Sequence, residues 1–132
     1  MPQLITSKVV EALTKLVPFA PEHLPHELKA IQAVDNLHPG LPQVACFDTA
    51  FHWQSPKIAK LYPLPRHYCE EGLRRYGFHG LSYAYILQEL AREGGAVADG
   101  RVVVAHLGNG ASMAAIRNRC PVDTTMGMTP SG

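Results

Sequence analysis

The apolar positions of the chain follow two rhythms. Over residues 6–17 (TSKVVEALTKLV), Val9, Val10, Leu13, Leu16 and Val17 recur at helical spacing behind a Thr or Ser, which predicts an amphipathic helix with a hydroxyl cap. Pro18 closes it. A second helix is predicted from Pro25 to about Leu37, because proline suits a first turn and Pro39-Gly40 follow the end. A third runs from Leu81 to Glu93 with Tyr85, Ile86, Leu87 and Leu90 as its stripe, stopped by Gly94-Gly95. The strand candidates are shorter. Residues 42–48 (PQVACFD) read as a buried run ending on an aspartate, and 101–107 (RVVVAHL) and 111–117 (ASMAAIR) as a hairpin around Gly108-Asn109-Gly110. Pro56, Pro63 and Pro65 make 53–70 an irregular connector. The class is α/β.

Composition narrows the function classes. The 132 residues are 46% hydrophobic and 17% charged, enough to bury a core, and a formal net charge of +1 supplies no basic stripe for nucleic acid. No apolar run approaches the ~20 residues of a membrane span. Cys46, Cys69 and Cys120 are odd in number and form no C-x-x-C pair, which suits reduced thiols in the cytoplasm. The opening MPQLITSK lacks the features of a secretory signal. The chain reads as a fragment: the closing DTTMGMTPSG ends without an element to complete it, and the first helix has no sheet before it.

Three phrases carry chemistry. In FDTAFH (47–52), Asp48 ends a strand, where α/β sheets place ligand-contacting groups, and there it either orients a substrate or caps its own turn. His52 alone reads as structural. In RRYGFHG (74–80), Arg74, Arg75 and His79 stand at a helix entrance that favours anions; His79 either donates to a phosphoryl group or caps the helix. In HLGNGAS (106–112), two glycines allow a sharp turn and close approach of backbone N–H groups to an anion, or simply close a hairpin. No Walker phrase G-x-x-x-x-G-K-[ST] occurs. His23 and His26 lie three apart without a third ligand, so no metal site is expected within this chain. Asp123 is assigned a structural role.

In order, FDTAFH, YPLP, RRYGFHG, HLGNGAS and VDTTMGMTP resemble the acetate kinase family, as does FAPEHLPHELKAI before them. The resemblance implies a two-lobed sugar kinase, actin and Hsp70-like (ribonuclease H-like) fold, truncated at both ends. Residues 1–50 would close the first lobe and 51–132 open the second. It implies phosphoryl transfer between ATP and acetate, with Mg2+ as cofactor and ATP/ADP and acetate as small-molecule partners. The whole enzyme would be a cytoplasmic homodimer with neither nucleic acid nor membrane as partner. Asp48 matches the catalytic carboxylate, His79 the transition-state stabiliser, His106, Leu107, Gly108, Asn109 and Gly110 the loop for the nucleotide phosphates, and His23 an active-site neighbour. Propionate or butyrate kinase, and a non-catalytic remnant that binds or packs, are the other readings. Leu81 and Tyr83 depart from the family's FHGTSH, and Arg119-Cys120-Pro121 replace a glycine before V-D-T. The family's opening lobe and its T-R-S-G-D arginine segment have no counterpart. Neither Asp48 nor His79 is placed in the core, so replacing them is expected to leave stability nearly unchanged.

Overall fold

Thr6 accepts a hydrogen bond from the N–H of Val9 at 3.4 Å and so caps α1 (Ser7–Lys15) in the computed structural model, which describes residues 1–130. Ser131 and Gly132, the end of the glycine-rich closing phrase, lie outside the described residues. The chain divides into two compact units, Met1–Cys46 and Phe47–Gly132.

In the first unit, α1 contacts α2 (Leu24–Leu37), which carries Pro25 in its first turn. Val9, Val10, Leu13 and Val17 are half-buried, as are Leu24, Leu28, Ile31 and Val34. Leu16 leaves the stripe and is exposed, because the helix ends at Lys15 and tightens into a 3-10 turn over Val17–Phe19. β1 (Gln3–Leu4), ahead of the first helix, pairs antiparallel with β2 (Val44–Ala45), which follows the second. The strand expected over 42–48 shrinks to these two residues. Pro42 has no N–H to offer a ladder, and beyond Cys46 the chain turns, with Phe47 C=O accepting from Ala50 N–H.

The second unit is built on an antiparallel sheet in the order β3 (Arg101–Leu107), β4 (Ala111–Arg117), β5 (Cys120–Thr124). Its register sets Val102 opposite Ile116, Val104 opposite Ala114 and His106 opposite Ser112. Alternation along β4 buries Ser112, Ala114 and Ile116 on one face. Against that face α5 (Gly80–Gly94) lays Tyr83 and Leu87, one turn apart, and Phe51, Val102 and Val104 pack around them. Burying Leu87 or Ile116 contributes about 1.5–3 kcal/mol each. Tyr85, expected on the inner stripe, is 61% exposed, since two residues from both Tyr83 and Leu87 set it on the opposite side of the helix, and Ile86, at the edge of the inner face, is 40% exposed.

The connector is less irregular than its prolines suggested. Pro56 stands at the N-cap of α3 (Lys57–Lys60) and Pro65 at that of α4 (Arg66–Glu70), where a missing N–H removes nothing from the helix. β4 returns to β5 through Asn118-Arg119, both left-handed at φ 52° and 61°, with a bulge between Ala115 and Ile116. The Arg119-Cys120-Pro121 departure falls on this turn and the start of β5, and Arg119 reaches Asp99 at 2.7 Å. The three cysteines are free thiols, and among the described residues no helix is long and apolar enough to cross a membrane.

Candidate functional site

The site begins where Asp48 meets the start of α5. Asp48 C=O accepts from Gly80 N–H at 2.9 Å, one carboxylate oxygen accepts from His79 N–H at 2.6 Å, and the other from Leu81 N–H at 3.4 Å. The carboxylate thus caps a helix 31 residues away rather than its own turn. That contradicts the expectation of unchanged stability, because a lost cap costs about 1 kcal/mol. Gly80 permits the approach: a Cβ there would lie 2.2 Å from Asp48 C=O and 2.8 Å from Phe51 Cβ. His79 occupies the N-cap position at φ 58°, a left-handed conformation that L-residues seldom adopt, and its side chain makes no capping bond.

The helix entrance is therefore not an open anion site. Its first N–H groups are taken by Asp48, and the two arginines of RRYGFHG face elsewhere. Arg75 pairs with Asp123 at 3.2 Å and donates to the carbonyls of Ala59 and Thr124, which gives Asp123 the structural role assigned to it. Arg74 lies over the rings of Trp53 and Tyr76 at 5.3 and 4.8 Å.

Freed from capping, the His79 ring reaches into the hairpin. Nδ1 is 2.7 Å from Ser112 Oγ, and the ring stacks on His106 with centroids 3.9 Å apart and 12° between planes. Nε2 faces Gly110, 3.3 Å from where a Cβ on that residue would stand. Burial holds the His79 pKa below the ordinary histidine value; His106 pushes it the same way and Asp48 opposes both. His106 Nδ1 in turn lies 3.2 Å from Ser82 Oγ. Behind His79, the buried Tyr83 hydroxyl is 2.5 Å from Ser112 Oγ.

His52 is structural, as its sequence context suggested. It is buried, its Nε2 lies 3.0 Å from Phe78 C=O and must donate to it, and Nδ1 has no partner. Desolvation lowers its pKa. Its ring fills the space above Gly77, where a Cβ would come within 2.5 Å. His23 belongs to the other unit, ahead of Leu24 at the head of α2, without a capping bond from its side chain.

The Gly108-Asn109-Gly110 loop joins β3 and β4 without any residue in the left-handed region, so its glycines do not serve the sharp-turn angles expected of them. They serve space: a side chain at 108 would meet His106 Nε2 at 3.1 Å, and one at 110 would meet His79. Among the described residues, none accepts from the N–H groups of Gly108, Asn109 or Gly110. Three backbone donors with no described acceptor, beside two imidazoles, form a donor-rich corner suited to an anionic group with several oxygens. A cation fits less well. Among the described residues no three His, Cys, Asp or Glu side chains gather, and both Asp48 oxygens already accept from backbone N–H groups. These residues alone do not form a Mg2+ ligand set.

Sequence reasoning missed Ser112 and Tyr83 as members of this cluster. The signal was present for Ser112: a polar residue on the inward alternation of β4, in phase with Ala114 and Ile116.

The fold is that of part of a two-lobed protein of the sugar kinase, actin and Hsp70-like class. Superposition on the crystal structure of Porphyromonas gingivalis acetate kinase gives a TM-score of 0.85 at 42% identity, over 98% of this chain and 33% of that one. A propionate kinase from Francisella tularensis gives 0.86 at 36% identity, over 98% and 34%. The acetate kinase of Rhodopseudomonas palustris strain CGA009 is 55% identical over 126 residues, 95% of this chain and 32% of that protein. The family model of the acetokinase family matches residues 1–132, and the chain belongs to that family. It spans about a third of the length of the relatives it matches.

Proposed function

We propose that these residues serve a carboxylate kinase, moving a phosphoryl group between ATP and acetate in a cytoplasmic, homodimeric protein of the relatives' full length. The observation that carries the reading is the approach of His79 Nε2 to Gly110, beside three backbone N–H groups that have no acceptor among the described residues. Phosphoryl transfer requires little covalent chemistry from a protein; it requires donors aimed where negative charge develops and reactants held in line. In this reading Gly108, Asn109 and Gly110 hold nucleotide phosphate oxygens, with His106 and Leu107 as the strand end that presents them. A neutral His79 donates to the transferring group. Asp48 fixes the α5 start, and so the left-handed His79 backbone, while its charge orients the acceptor side of the reaction. Acetate is already ionised at neutral pH, so no general base is required for it. Mg2+ is the cofactor this reading expects, and the described residues do not by themselves form a ligand set for it.

The test is a chimera in which residues 1–132 replace the matching third of the Rhodopseudomonas palustris acetate kinase, assayed by hydroxamate trapping of acetyl phosphate. Turnover with acetate that falls about 100-fold or more in Asp48→Asn supports the reading. A folded chimera without turnover points to a non-catalytic remnant. The likeness to a propionate kinase makes propionate the second acid to assay.

A further inference from the structure

We propose that Tyr83 is a positioning residue that acts through Ser112 to hold His79 as the Nε2–H tautomer, so that the ring presents a donor, and not a lone pair, to the Gly108–Gly110 loop. The functional meaning rests on the proposed role of His79; the geometry and its test do not.

The argument is one of hydrogen-bond direction. Tyr83 is fully buried, and its hydroxyl has one partner among the described residues, Ser112 Oγ at 2.5 Å. A buried phenol O–H left without an acceptor is costly, so Tyr83 donates and Ser112 Oγ accepts. Ser112 is itself 4% exposed, and its own proton then has one acceptor at hydrogen-bond distance among the described residues, His79 Nδ1 at 2.7 Å. An Nδ1 that accepts carries a lone pair, so the proton of the neutral ring is on Nε2. That is the nitrogen beside Gly110. The reverse order, His79 Nδ1–H to Ser112 and Ser112 to Tyr83, strands the phenol proton and turns a lone pair toward the loop.

The same chain resists charging the ring. Protonated His79 carries hydrogens on both nitrogens, so Ser112 Oγ must accept from Nδ1, and either the Ser112 proton or the Tyr83 proton is left without an acceptor among the described residues. The other titratable groups facing His79 are Asp48 from the segment before the 3-10 turn Phe51–Gln54, which favours the charged ring, and His52 and His106, which oppose it. Tyr83 is also one of the positions where this chain departs from the FHGTSH phrase, where a histidine would stand. A phenol, with one proton and no charge near neutrality, sets the relay direction in a way that an imidazole with two tautomers does not.

The test uses the 132-residue chain with 15N-labelled histidine and long-range 1H–15N correlation. In the parent, His79 is expected to show a protonated Nε2 and an unprotonated Nδ1. Tyr83→Phe keeps the packed ring and removes the proton that fixes Ser112, so the Nδ1–H form should appear. The His79 pKa should rise by about half a unit or more, roughly a threefold change in proton affinity. Ser112→Ala should mix the tautomers likewise and serves as the readout if Tyr83→Phe does not fold. Nδ1–H as the parent form, or an unchanged tautomer and pKa in the variants, would overturn the relay. Either result stands apart from kinase activity: an inactive chimera with an Nε2–H His79 would leave the relay intact.

Discussion

Replacing Gly80 with alanine probes the junction on which the whole site hangs. The new Cβ would sit 2.2 Å from Asp48 C=O, where ordinary contact begins near 3.4 Å, so backbone must part by about 3.4 − 2.2 = 1.2 Å. Such a shift breaks the 2.9 Å bond from Gly80 N–H to Asp48 C=O and pulls the carboxylate off His79 N–H. Overpacking costs about 1–3 kcal/mol and each lost hydrogen bond about 0.5–1.5 kcal/mol. Against that, alanine returns no more than about 1 kcal/mol of helix propensity. The net is about 1–5 kcal/mol, and at ~4–8 °C per kcal/mol for a domain of this size the melting temperature should fall by at least ~4 °C. Gly94→Ala, at the other end of the same helix, is the control. Its Cβ would approach only the Leu90 Cδ1 tip, at 3.1 Å, which can swing aside. Circular dichroism melts of the two variants decide it: a Gly80→Ala chain that melts with the parent would refute the close approach of Asp48 to α5.

Asp48→Asn should lower stability by about 1 kcal/mol, since the amide keeps one acceptor oxygen but loses the charge at the helix N-terminus; urea melts measure it, and an unchanged midpoint would count against the cap. Arg119→Gly should raise stability by up to about 1 kcal/mol, because it relieves a left-handed residue and gives the hairpin an Asn-Gly turn, while the half-exposed pair with Asp99 contributes little. His52 and His79 both have folded pKa values below 6.5, so the unfolded chain binds more protons in that window and stability should fall as pH drops through about 6.5. Melts between pH 7.5 and 5.5 that stay flat or rise on acidification would contradict the burial of these rings. Gly110→Val in the chimera should weaken ATP affinity with the fold retained, as a titration calorimeter would report, because the side chain would crowd His79 and the space in front of the loop.

Much of this was legible in the sequence, for identifiable reasons. Helices announced themselves where apolar spacing and caps agreed, as at Thr6 and at Pro25, and the hairpin where two alternating runs flanked Gly108-Asn109-Gly110. The pairing of Asp48 with His79 was not legible, because its partners lie 31 residues apart and meet only through tertiary packing. Nor was the left-handed backbone at His79, which no histidine announces. The prolines of 53–70 misled because proline both breaks helices and starts them. The glycines of the hairpin loop were read as serving turn angles, whereas space beside two histidines, and not positive φ, requires them.

In the proposed reaction His79 donates to the transferring phosphoryl group. The direct measurement is kcat of the chimera and its His79→Ala variant at saturating ATP and acetate. Losing one such donor should lower kcat by about 100-fold or more with KM for ATP little changed. A His79→Ala chimera that retains near-parental kcat would contradict the account and leave His79 as no more than the residue that begins α5.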